Sequence, residues 1–237
     1  MQVEEISVIH KLITRVKRIK RSGQSMVEFA VLLPILLLMI AGLIEFGFML
    51  NVYLDLIDSA RETARFLAND DPVHAADGSF DPNPFGTPEP KGFYDRGFAM
   101  AYNTLHQAGQ VDLDNTTDDV VISVFVVDDG AVSQRWPAYV GPYGTCSAGN
   151  GGDLGFMLYC HHPSDFDSNS MINSRLSNLS NVPPDSAVVL VEIYYDYDMV
   201  IGLTWIQPIV PDPVTLHAYS IMPVPKAEPT PTPSPSP

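Results

Sequence analysis

Positive charge is scarce in this chain. Its 237 residues hold 13 Lys and Arg against 28 Asp and Glu, a formal net charge of −15. Neutralising nucleic-acid phosphates requires Lys and Arg, so a general nucleic-acid binder is excluded. Cysteine is scarcer still: two residues cannot build a disulfide-dense mini-protein or a four-cysteine zinc site. The motifs of common enzymes are missing as well. There is no phosphate loop, no dinucleotide fingerprint and no Gly-x-Ser-x-Gly elbow, and the six histidines are scattered. The expectation is a protein that is not an enzyme and needs no cofactor.

What is present is unevenly placed. Lys11, Arg15, Lys17, Arg18, Lys20 and Arg21 crowd the first 21 positions, opposed only by Glu4 and Glu5. That segment carries a net +4, which leaves −19 for the remainder. Immediately after it runs Phe29–Ile44 without a charge, then Glu45, then Phe46–Leu50. A bilayer core needs roughly 20 apolar helical residues, and residues 29–50 suffice if Glu45 lies near an interface. A core helix of a soluble protein is the competing reading, but such helices alternate polar and apolar faces and this run does not. Lys and Arg remain cytoplasmic, so the N-terminus lies inside and the acidic remainder is exported. Residues 1–21 also show helical apolar spacing at Ile9, Leu12, Ile13, Val16 and Ile19. This suits either a basic amphipathic helix on the inner leaflet or a removable leader. An ordinary secretory signal fits poorly, because the apolar stretch is too long and no small-x-small cleavage site follows.

Gly23-Gln24-Ser25-Met26-Val27-Glu28-Phe29 carries the sharper signal. A glutamate at the head of a membrane helix is costly and usually has a partner. A cut after Gly23 would create an ammonium at Gln24 close to Glu28. The simpler reading is an interfacial carboxylate favoured by the helix dipole. The stretch Gly23–Pro34 resembles the processing site and membrane helix of type IV pilin-like proteins, and more narrowly the TadE-like pseudopilins of Flp/Tad pilus systems. The likeness continues through Ile44-Glu45-Phe46-Gly47 and Asp58–Phe66, and returns at Val191–Tyr197 and Thr215–Met222. The resemblance implies cleavage between Gly23 and Gln24 by a prepilin peptidase, and an assembly role for Glu28 beside Phe29. It also implies other pilin-like subunits and the pilus assembly machinery as partners.

Beyond the apolar run, Tyr53, Ile57, Ala60, Ala64 and Leu67 fall at helical spacing, with Asp58, Arg61, Glu62 and Arg65 opposite. Asn69-Asp70-Asp71-Pro72 ends this helix, and residues 72–91 read as a proline-rich loop. Tyr94–Ala108 reads as a helix with Phe98, Ala101, Tyr102 and Leu105 on one side and Gly109 as its stop. Val120–Val127, Ala187–Tyr197 and Val214–Met222 read as strands. Phe125, Val189, Val191, Ile193 and Leu216 are the expected core facing the long helix. The glycine-rich insertion at 128–186 holds both cysteines. Exported and near in sequence, Cys146 and Cys160 most simply form a disulfide. A metal site from Cys160, His161 and His162 is the alternative, which adjacent histidines disfavour; the expectation is no metal. Asp165-Phe-Asp-Ser-Asn169 opens like a calcium loop but lacks its later Gly and Glu, so a helix cap or acidic loop is preferred. Asn115-Thr-Thr and Asn178-Leu-Ser match glycosylation triplets that arise often by chance.

The expected fold is α+β and pilin-like: a long N-terminal transmembrane helix continuing into an exported domain with a small antiparallel sheet. The expected organisation is a basic cytoplasmic leader at 1–23, a transmembrane helix and its outer extension at 24–68, an exported domain at 69–225, and a Pro/Ser/Thr-rich tail at 226–237. The expected function is a minor pilin or pseudopilin taking part in assembly of a Tad-type pilus, for adhesion, biofilm or secretion. It would be single-pass in the cytoplasmic membrane and incorporated into a surface pilus. The alternative is a single-pass anchored surface protein whose ectodomain binds a protein or polysaccharide.

Overall fold

The computed structural model describes residues 2–70, 92–108, 111–128, 131–137, 146, 152–176, 186–202 and 210–224, with side chains in the first helix from Gln24 onward. The expected 72–91 loop, the Gly109 stop, the Asn178 triplet and the tail lie outside these residues, as do the basic side chains of residues 1–21. The chain divides into two compact units, Met1–Phe48 and Met49–Pro237.

The first unit is helical and belongs to α1, which runs Gln2–Leu67. Its apolar side chains from Met26 to Phe48 are largely exposed. No polar stripe separates a buried from a solvated face, which is what a lipid-facing helix requires. Pro34 sits inside the helix. It removes one N–H from the backbone ladder, a loss that membrane helices tolerate by local adjustment.

The second unit is α+β, with its strands in one antiparallel sheet. β1 (Asp119–Asp128), β2 (Ala131–Trp136), β4 (Ser186–Tyr197) and β5 (Val214–Val224) lie in the order β2-β1-β4-β5. The two-residue β3 (Phe156–Met157) pairs with Val121 and Ile122 of β1. Since β4 occupies one edge of β1 along almost its whole length, β2 and β3 share the other. Even-numbered residues of β1 and odd-numbered residues of β4 face α1 and α2 (Phe93–Ala108). There Val120, Ile122, Val124, Val189, Val191 and Ile193 are buried against Leu56, Ala60, Ala64 and Leu67. Small side chains at Ser59, Ala60, Thr63 and Ala64 let α2 approach, and the Ser59 hydroxyl donates to the Ala101 carbonyl at 3.2 Å. Arg96 of α2 pairs with Asp70 just past the end of α1. On the outer face of α1, Arg61 and Arg65 pair with Asp58 and Glu62.

The opposite face of the sheet is covered too, and this corrects the expected core. Phe125 does not face α1. It packs with Val127, Val132, Val188 and Leu190 against Phe166 and Ile172 of the α3 region (α3 is Asn169–Leu176). Because both faces are covered, β1 is apolar at nearly every position, and alternation could not assign Phe125 to a side. Tyr102 is likewise not on the buried side of α2. It is exposed and stacks on His106, while Tyr94, Phe98, Ala101 and Leu105 form the buried stripe. On α1, Leu56 is fully buried whereas Tyr53 and Ile57 are only half-buried.

The described parts of the 128–186 insertion pack on the sheet. They supply β2, a 3-10 turn at Gly152–Leu154, β3 and α3. Gly155 has φ +71°, and a Cβ there would lie 2.5 Å from Ser123 Oγ and 2.6 Å from Val121 Cγ1. Only glycine allows the turn to lie this close to β1.

Candidate processing and assembly site

Gly23 and Gln24 are consecutive residues of α1. The Gln24 carboxamide donates to Glu28 Oε1 at 3.1 Å, one helical turn below. Glu28 and Phe29 are both exposed, and the apolar run begins at Phe29. Residues four apart on a helix have Cβ atoms about 5–6 Å apart. A chain beginning at Gln24 would therefore put its amine within reach of the same carboxylate. The geometry can support a compact charge pair at the head of an apolar helix. Among the described residues, α1 from Gln24 to Leu67 is the one helix long and apolar enough to cross a membrane.

In the second unit the cysteines meet. Cys146 and Cys160 are joined in a disulfide, 14 residues apart. Around Cys160, the backbone N–H groups of Tyr159, His161 and His162 all donate to the Asp119 carboxylate, at 2.9, 2.7 and 3.1 Å. Val120 N donates to it as well, at 2.9 Å, so four donors satisfy this fully buried anion. One nitrogen of each neighbouring imidazole has a partner in the chain: His161 Nε2 contacts the Asn115 carbonyl and His162 Nε2 the Thr117 carbonyl. Among the described residues no group of three or more His, Cys, Asp or Glu is placed to hold a metal ion.

Sequence reasoning missed the buried polar groups of this unit. Glu192, with no exposure, accepts from Ser164 Oγ at 2.5 Å and from Asp165 N at 3.0 Å. His217 Nε2 stands 3.3 Å from Glu192 Oε1, outside hydrogen-bond geometry, while His217 Nδ1 is 3.2 Å from the Asp165 carboxylate. Tyr194 stacks between His162 and His217. Burial, then the Glu192 and Asp165 charges, push its hydroxyl pKa up. Arg135 donates to Ser123 Oγ and the Phe166 carbonyl, and its guanidinium lies 4.8 Å over the Phe125 ring. The one available signal was a charged residue inside an apolar run, Glu192 within Val188–Tyr195. Ser164, Glu192 and His217 do not form a nucleophile system. The Ser164 hydroxyl is buried and donates to the carboxylate instead of the imidazole. The calcium-like segment at 165–169 leads into α3, with its first carboxylate turned to His217.

Residues 23–65 match the model of a family described as TadE-like protein. No curated protein and no solved structure matches the chain. The matched segment takes in the Gly23–Glu28 head, the apolar run and the first part of α1 in the folded unit. It supports involvement with a Tad pilus system, and the one helix able to span a membrane fits a single-pass membrane protein.

Proposed function

We propose, from the TadE-like segment at residues 23–65, that this chain is a minor pilin or pseudopilin with a structural role in assembling a Tad-type pilus. α1 anchors it with the basic N-terminus in the cytoplasm, because a net +4 segment adjoins the apolar run and the remainder is acidic. A prepilin peptidase cuts between Gly23 and Gln24, and the second unit lies outside. The observation that carries this reading is the order of features within the matched segment: Gly23, Gln24, then Glu28 one turn below, then an apolar helix.

The mechanism is one of positioning. The new Gln24 ammonium and the Glu28 carboxylate attract strongly where hydration is poor. That attraction offsets the cost of holding either charge in lipid, and in a neighbour's helix it sets axial register. Phe29 begins the apolar surface that packs against other subunits. The buried carboxylates of the second unit serve its fold.

N-terminal sequencing and intact mass of the protein from its native membrane test the reading. A mature chain beginning at Gln24 is the expected result. A chain that keeps residues 1–23 while still assembling with pilin-like partners overturns it.

A further inference from the structure

On the α3 side of the sheet one imidazole stands between two carboxylates. His217 of β5 has Nδ1 3.2 Å from Asp165 Oδ2 and Nε2 3.3 Å from Glu192 Oε1. Nε2 is buried and makes no hydrogen bond. A neutral imidazole carries one N–H and one lone pair, whereas an imidazolium carries two N–H donors. Carboxylates at both nitrogens are therefore satisfied together only by the charged ring. With its one N–H on Asp165, the neutral ring turns a lone pair toward Glu192, and the unmade bond at Nε2 fits that state.

The surroundings leave this charge to His217. Between Arg175 and Lys226 the sequence holds Asp185, Glu192, Asp196, Asp198 and Asp212, no Lys or Arg, and His217 as its one histidine. Glu192 has no exposure, and its other contacts are uncharged: Ser164 Oγ, Asp165 N and the Tyr194 hydroxyl. Arg135 of β2 feels the Glu192 charge through space, but its guanidinium donates to Ser123 Oγ and the Phe166 carbonyl. Arg175 of α3 lies over the Tyr219 ring at 5.8 Å. Tyr194 stacks on His217 at 4.3 Å, and Tyr219 sits tilted beside it at 5.9 Å. His162 stacks on Tyr194 in turn, with its Nε2 at the Thr117 carbonyl.

Asp165 belongs to the segment that covers this face of the sheet. Next to it, Phe166 and then Ile172 of α3 close over Phe125, Val188 and Leu190. We propose that His217 is a proton-operated latch on this cover, clamping Asp165 and Glu192 together when protonated and loosening the 164–176 segment when it loses that proton. A charge satisfied only with the cover closed makes proton uptake and closure favour each other. Closure therefore strengthens as pH falls through about 6.5, the ordinary imidazole value, and weakens as pH rises through it. Glu192 supplies the larger share because it is buried, whereas Asp165, 65% exposed, is screened by water. The device lies wholly within the second unit, so it stands or falls apart from the pilin reading.

Hydrogen exchange of the full chain in detergent tests it, read by mass spectrometry on peptides within 164–172 and corrected for the intrinsic pH dependence of amide exchange. Protection there should be about tenfold higher near about pH 5.5 than near about pH 7.5. His217→Gln keeps a polar side chain but takes up no proton. It should hold protection at the unmutated chain's higher-pH level under both conditions. Asp165→Asn, a change at an exposed side chain, should reduce the step to about threefold. A step below about twofold in the unmutated chain, or the full step retained in either variant, overturns the proposal.

Discussion

Glu28 and Glu192 are the same residue in opposite circumstances. Glu28 is exposed at the head of an apolar helix, with the Gln24 carboxamide against it. Glu192 has no exposure and collects Ser164, Asp165 N, the Tyr194 hydroxyl and the edge of His217. Asp119 repeats the second pattern with four backbone donors. A carboxylate whose desolvation is met inside its own chain serves the fold. Under the proposed function, the carboxylate at the head of the apolar helix takes its further partner from processing or from another molecule. The two units thus use acid residues for different ends.

The largest effect should come at the head of α1. Gly23→Val should leave the precursor entirely uncut, seen by intact mass as retention of residues 1–23. Glu28→Ala should be cut normally and should insert, yet fail to co-purify with assembly partners. If Gly23→Val is processed and Glu28→Ala assembles, the contrast between the two carboxylates collapses. Within the folded unit, Glu192→Ala should cost about 3–5 kcal/mol by leaving buried donors unpaired. Denaturant titration of the full chain in detergent reads this, and a change below about 1 kcal/mol would mean that Glu192 is not integral to the core. Cys146→Ser with Cys160→Ser should cost about 3 kcal/mol for a loop of this length. It should also expose the amides of Tyr159, His161 and His162 to hydrogen exchange, since the disulfide lies among these donors to Asp119.

The smallest effect concerns Asp118. Its carboxyl pKa is raised by burial, although Asp196 N and Asp114 N donate to it. The folded chain therefore holds that proton more tightly than the unfolded chain, whose ordinary value is 3.8. Its contribution is most favourable below pH 3.8 and declines as pH rises through the window between 3.8 and the raised value. Asp118→Asn should flatten stability against pH across that window. An unchanged slope would show that the group titrates alike in both states.

How much of this was legible depended on how local each signal was. The apolar run of α1 and the strands β1, β4 and β5 read directly, because long apolar segments bounded by Pro, Gly and Asp leave few alternatives. β2 did not: Ala131-Val-Ser-Gln-Arg-Trp136 is short and polar at its centre. It is a strand because β1 offers it a ladder. β3 is too short for any periodic signal. Half of α3 is Asn and Ser, weak helix formers, and it forms with Ile172 buried beneath it.

The sequence by itself determined the apolar helix able to span a membrane, the charge asymmetry around it, the TadE-like segment and the α+β class, since each rests on neighbours in the chain. Only the tertiary structure decided that both faces of the sheet are covered, that Phe125 and Glu192 lie away from α1, and that Asp119 is held by the loop around Cys160. Those outcomes depend on contacts between residues far apart in the chain, such as Asp119 with His161 and Phe125 with Val188, whose donors and apolar surfaces meet only after the strands have paired.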